Sequence, residues 1–113
     1  MKYLKTFENV NEPQIGDYVA VEEEFYASSD ATDQLFDFTS THIGKIVTYK
    51  PNHFKGENVF CVKYENVPEK LQYAFEDVNL QKMCRNMLLV EIKFWSKNKE
   101  DVEEYLASKK YNL

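Results

Sequence analysis

The chain has 113 residues, 43% of them apolar and 29% charged, a balance that fits one folded domain and is too apolar for a disordered tail. Eight Tyr, eight Phe and one Trp supply large rings for a core, and burying one such ring contributes roughly 1.5–3 kcal/mol. A net charge of −5 argues against a protein held to nucleic acid by overall positive charge.

The charge is segregated. Residues 1–41 hold nine acids against Lys2 and Lys5, a local charge of −7, whereas residues 42–113 hold ten acids and twelve bases and sum to +2. Between Glu22 and Asp37 there is no Lys or Arg. The first residues lack the apolar core of a signal peptide, and the run Met87-Leu88-Leu89-Val90 is too short to cross a bilayer. Cys61 and Cys84 are too few for a disulfide framework, so the expected location is the reducing cytoplasm.

In chain order, Gly16-Asp17 is turn chemistry and the β-prone run after it predicts a strand over about 17–25. The small polar stretch from Ala27 to Gln34 reads as a loop in which Ser29 or Asp30 caps a short helix over residues 31–41, with Leu35, Phe36 and Phe38 on its buried side. Ile43 to Tyr49 alternates as a half-buried strand, with Ile43, Lys45, Val47 and Tyr49 on one face and Ile46 on the other, and Pro51-Asn52 is expected to end it. A turn at Lys55-Gly56 leads into a strand from Val59 that places Phe60, Val62 and Tyr64 on one face. Pro68 opens a helical turn that brings Leu71 and Phe75 together.

Residues 76–86 are polar and mixed and are expected to form a mobile connection. Leu88 to Trp95 alternates as a strand, and Ser96 or Asn98 can cap a final helix to about Lys110, whose Val102, Tyr105 and Leu106 make one apolar stripe. The pattern predicts a single α+β domain over residues 1–113. Its sheet is a small, strongly bent antiparallel sheet or an SH3-like barrel, with a short helix after strand 1 and a C-terminal helix. A three-stranded meander with helices on one face fits the same pattern.

No catalytic constellation assembles. His42 and His53 lack the neighbours of a zinc site, the isolated Gly16, Gly44 and Gly56 make no phosphate loop, and the sequential Glu22, Glu23 and Glu24 alternate sides on a strand. Cys84, beside Lys82 and Arg85, is the one thiol whose pKa nearby cations would depress, whereas Cys61 reads as a small core side chain. The expectation is a non-enzymatic protein with no cofactor and no metal.

Two surfaces compete for a binding role. The first is acidic and aromatic: Glu22, Glu23, Glu24, Phe25, Tyr26, Asp30, Asp33, Phe36 and Asp37 can dock in a basic groove of a partner, as a phosphate backbone would. The second is basic and aromatic, with Tyr49, Lys63, Tyr64 and Trp95 placed to stack bases and hold phosphates of RNA or single-stranded DNA. The plain alternatives are a solubilising acidic loop for the first, and core rings with a lysine rim for the second.

The segments Gly16-Asp17-Tyr18-Val19, His42-Ile43-Gly44-Lys45-Ile46-Val47, Lys63-Tyr64-Glu65-Asn66-Val67-Pro68, and Lys93-Phe94-Trp95-Ser96-Lys97-Asn98-Lys99-Glu100 through Lys109-Lys110-Tyr111-Asn112-Leu113 together resemble small proteins of tailed bacteriophages and prophages. The resemblance covers most of the chain and carries no catalytic residues. It implies expression inside a bacterial cell and a role of anti-CRISPR type, in which an acidic phage protein binds and inhibits a Cas effector nuclease or its guide-RNA complex.

Overall fold

The computed structural model describes residues 12–23 and 30–111. Six strands form one antiparallel sheet: β1 (Tyr18–Val21), β2 (Gly44–Phe54), β3 (Glu57–Lys63), β4 (Glu76–Val78), β5 (Gln81–Leu88) and β6 (Ile92–Ser96). Their spatial order is β4-β5-β3-β2-β1-β6, with β4 and β6 as free edges, so the sheet is open and not closed into a barrel. Helix α1 (Asp30–Thr41) crosses from β1 to β2, and helix α2 (Lys99–Tyr111) follows β6.

The two helices lie on opposite faces of the sheet, unlike the meander with both on one side. Leu35 and Phe38 of α1 join Val19, Val21, Ile46, Phe60, Val62, Tyr64 and Met87 in the main core, and Leu71 and Phe75 of a 3-10 segment (Glu69–Ala74) close it. Ala20 and Phe94 point the other way and meet Val102, Tyr105 and Leu106, the stripe expected on α2. Phe94 stacks on Tyr105 with ring centroids 4.8 Å apart. Asn98 precedes α2; its N–H donates to Ser96 Oγ at 3.1 Å, and Ser96 Oγ in turn donates to Asp101 at 2.7 Å, which ties the helix start to β6.

Four expectations need correction. Residues 76–86 are not a loose connection: β4 and β5 pair as a hairpin across Asn79 and Leu80, both left-handed, with φ of 49° and 69°. The strand expected from Leu88 to Trp95 is broken by a 3-10 turn at Leu89–Glu91, so Leu88 ends β5 and Ile92 starts β6. The Glu91 carboxylate accepts from the Leu88 N–H at 2.9 Å and holds that corner.

The other two concern β2. It runs past Pro51 to Phe54, because the ladder with β3 is interrupted between Lys50 and Phe54 and a residue there has no ladder hydrogen bond to lose. A bulge at Val47 also shifts the alternation, so Tyr49 sits on the side of Ile46 and packs on Phe60 at 5.0 Å between ring centroids.

Tyr64 is only 1% exposed, and its hydroxyl has no hydrogen-bond partner among the described residues. Burial first, and then the nearby Glu23 carboxylate, push its phenol well above the ordinary value of 10.0. The protonated phenol is therefore favoured by the fold: its contribution is whole below the unfolded pKa of about 10 and shrinks as pH rises toward the folded value. Tyr64→Phe should hold or raise stability at neutral pH, by about 1 kcal/mol, since it deletes a buried group that has no partner. It should also flatten the alkaline decline. Denaturant titrations of both proteins at neutral and alkaline pH measure this, and a loss of stability at neutral pH would show that the hydroxyl is bonded.

Candidate functional site

Where β1 ends, its backbone continues for one more pairing, Glu22 N–H to the Glu91 carbonyl at 2.8 Å, and this places Glu22 and Glu23 beside α1. On α1, Asp33, Phe36, Asp37 and Ser40 fall at i, i+3, i+4 and i+7, so they form one stripe next to the core-facing one. These four residues, with Glu22 and Glu23, line an open cleft of about 350 Å³. Five of the nine expected acidic-surface residues are thus brought together. Ser40 was missed, although the i+7 spacing from Asp33 marks it. Glu24, Phe25 and Tyr26 lie outside the described residues, as do Ser29 and the side chain of Asp30.

The carboxylates of the cleft are not equivalent. Glu23 is committed inward: its side chain is 5% exposed and takes a two-pronged grip from Arg85, whose Nε donates to Oε2 at 2.9 Å while Nη2 reaches Oε1. Glu22 meets Lys109 at 2.7 Å on the surface, an exposed pair of little energetic weight. Asp33 and Asp37 are exposed, and no cation among the described residues lies within 4.0 Å of either. They stand at i and i+4 on a helix with no basic residue in its last turn, a like-charge spacing that costs the helix about 0.2–0.5 kcal/mol. The half-buried ring of Phe36 lies between them in the sequence of the stripe.

The basic and aromatic constellation does not assemble. Tyr49, Tyr64 and Trp95 belong to the α1 side of the sheet, with Tyr64 sealed in the core and Tyr49 and Trp95 packed against it. A ring sealed as Tyr64 is cannot stack on a base, and Tyr49 and Trp95 are half-buried on the face opposite Lys63. Lys63 projects from the other face, next to the buried Cys61 in the strand, and donates to Gln81 Oε1 at 3.2 Å.

Cys84 is not in a basic loop but is buried in β5. It clusters with Cys61 and Val78, and burial, followed by its proximity to Cys61, pushes its thiol up and not down. His42 is occupied locally, its ring stacked on Phe38 at 4.1 Å and its Nδ1 2.9 Å from the Phe38 carbonyl oxygen. Among the described residues no three His, Cys, Asp or Glu side chains converge as metal ligands, and no helix is long and apolar enough to cross a membrane.

No family model, curated protein or solved structure matches the chain.

Proposed function

We propose that the protein is a non-enzymatic binding protein whose acidic cleft docks on a basic, nucleic-acid-handling protein of a bacterial host, with a Cas effector nuclease or its guide-RNA complex as the specific target class. The observation that carries this reading is the pair Asp33 and Asp37: two exposed carboxylates one helical turn apart, without a counter-charge among the described residues, lining one cleft with Phe36. Such an arrangement lowers the stability of its own helix and gains when a cation is supplied from outside. Phe36 adds an apolar contact at the centre, and Glu22, already paired at the surface, can exchange Lys109 for a partner's cation at small cost.

The structure also narrows the residues that can be tested. Glu23 holds Arg85, so replacing it would confound binding with folding, whereas Asp33→Ser/Asp37→Ser leaves the core untouched. DNA cleavage by a panel of guide-loaded bacterial Cas nucleases, with and without the purified protein, is the direct assay. Inhibition of one nuclease, weakened about tenfold or more in the double variant while its melting temperature is unchanged, is the expected result. Inhibition of none removes the Cas assignment, and inhibition that survives the double substitution removes the cleft.

A further inference from the structure

We propose that the half of the sheet not covered by α2, on the face opposite α1, is a second binding site that takes the phosphate backbone of a nucleic acid on Lys45, Lys50 and Lys63. This goes beyond the acidic cleft and does not depend on it.

The register places the three lysines together. Lys45 pairs directly with Lys63 across β2 and β3, and two pairs further along the same face Lys50 stands opposite Val59. At about 3.4 Å per residue, with the bulge discounted, Lys50 lies roughly 14 Å along the strand from Lys45. Like charges set directly opposite on one face repel, so the Lys45 and Lys63 pairing works against the sheet that displays it.

No ion pair among the described residues neutralises this repulsion. No carboxylate among the described residues lies within 4.0 Å of any of the three ammonium groups. The contacts of two of them are neutral: Lys45 sits over the Tyr18 ring at 5.4 Å, and Lys63 donates to Gln81. Thr48 and Asn86 share the face, so the ground around the lysines includes hydroxyl and amide groups of the kind that contact phosphate and sugar oxygens. Glu76 on the short edge strand β4 and Glu57 at the start of β3 are carboxylates on this side among the described residues, and they bound the patch. The acidic cleft borders α1 on the other face, so a molecule of net charge −5 can still offer a locally positive surface.

The site differs from the stacking surface expected from sequence. Tyr49, Tyr64 and Trp95 lie on the other face, and the Tyr18 ring on this one sits beneath Lys45, so the patch reads charge and spacing more than bases. Binding should therefore be indifferent to sequence and steeply salt-dependent. Three phosphate contacts on a single strand correspond to a slope of log K against log salt of about −2.

Fluorescence anisotropy of a labelled single-stranded oligonucleotide, titrated with the protein over a series of salt concentrations, tests this. Lys45→Gln/Lys50→Gln/Lys63→Gln keeps most of each stem while removing the charge, and it should weaken binding at low salt by about tenfold or more. The corresponding Arg triple variant should retain binding. Lys70→Gln/Lys93→Gln/Lys99→Gln, which removes the same charge elsewhere, should bind within a few-fold of the parent. Asp33→Ser/Asp37→Ser should bind at least as tightly as the parent, so that failure here and failure of the acidic cleft are told apart. The proposal is overturned by no binding at low salt, by unchanged affinity of the first Gln variant, or by an equal loss in the second. Capture by anionic lipid vesicles without oligonucleotide binding would overturn it as well.

Discussion

Glu23→Ala should cost the fold about 3 kcal/mol, the lower end of what is lost when one partner of a buried ion pair is removed. The carboxylate is 5% exposed and its guanidinium partner 20%, so neither ion can return fully to water when the other is deleted. Arg85 is held at three points: by both oxygens of Glu23, by the Ala74 carbonyl at 2.8 Å, and over the Phe75 ring at 5.8 Å from its centroid. It thereby joins the end of β1, the 3-10 segment and β5, which are far apart in sequence. Removing Glu23 leaves the guanidinium with the Ala74 carbonyl and the ring alone, which keeps the loss short of the full penalty for an orphaned charge. Arg85→Met should be comparably harmful because it strands the 5% exposed carboxylate without its cation. The double variant Glu23→Leu/Arg85→Met should recover much of the loss, since apolar replacements of similar size remove both desolvation costs together. Urea titrations of the four proteins give the coupling directly, and additive losses would mean that the pair is not an energetic unit.

What the sequence made legible was what repeats with a short period. The stripe Val102, Tyr105 and Leu106, the shared face of Phe60, Val62 and Tyr64, and the meeting of Leu71 with Phe75 all follow from local spacing, and all are found in the packed structure. The hairpin of β4 and β5 was not legible, because its turn is Asn79-Leu80, where the left-handed backbone would ordinarily be signalled by glycine, and Leu80 is 99% exposed. The break at Leu89–Glu91 has no glycine or proline to announce it. The bulge at Val47 is equally silent, since an extra residue alters parity without altering composition. For the candidate site, the charge surplus and the residues of α1 could be read directly. The fate of Glu23 could not, because it is decided by an arginine 62 positions away. The same holds for the lysine face, which exists only once the register sets Lys45 opposite Lys63.

Gly44→Ala is expected to be nearly as damaging, and for a reason confined to one atom. Gly44 starts β2 opposite Val19, and the main core is built directly over it. A Cβ at this position would stand 2.2 Å from Val62 Cγ1, with two ring carbons of Tyr64 at 3.1 and 3.2 Å. The space that glycine leaves is filled by these two side chains, so the requirement is for close approach and not for an unusual backbone angle. Val62 cannot swing aside cheaply, because its branched Cβ allows few χ1 positions and the residue is fully enclosed. Tyr64 is sealed in the same way, so the strand itself must shift, at an expected cost of about 2–3 kcal/mol for overpacking. Thermal and denaturant unfolding of Gly44→Ala measure the loss. The local origin is tested by Gly44→Ala/Val62→Ala: shortening Val62 removes the atom in the way, so the double variant should lose clearly less than the sum of the two single losses. A fully additive result would place the damage in the backbone of β2 and not in the contact with Val62.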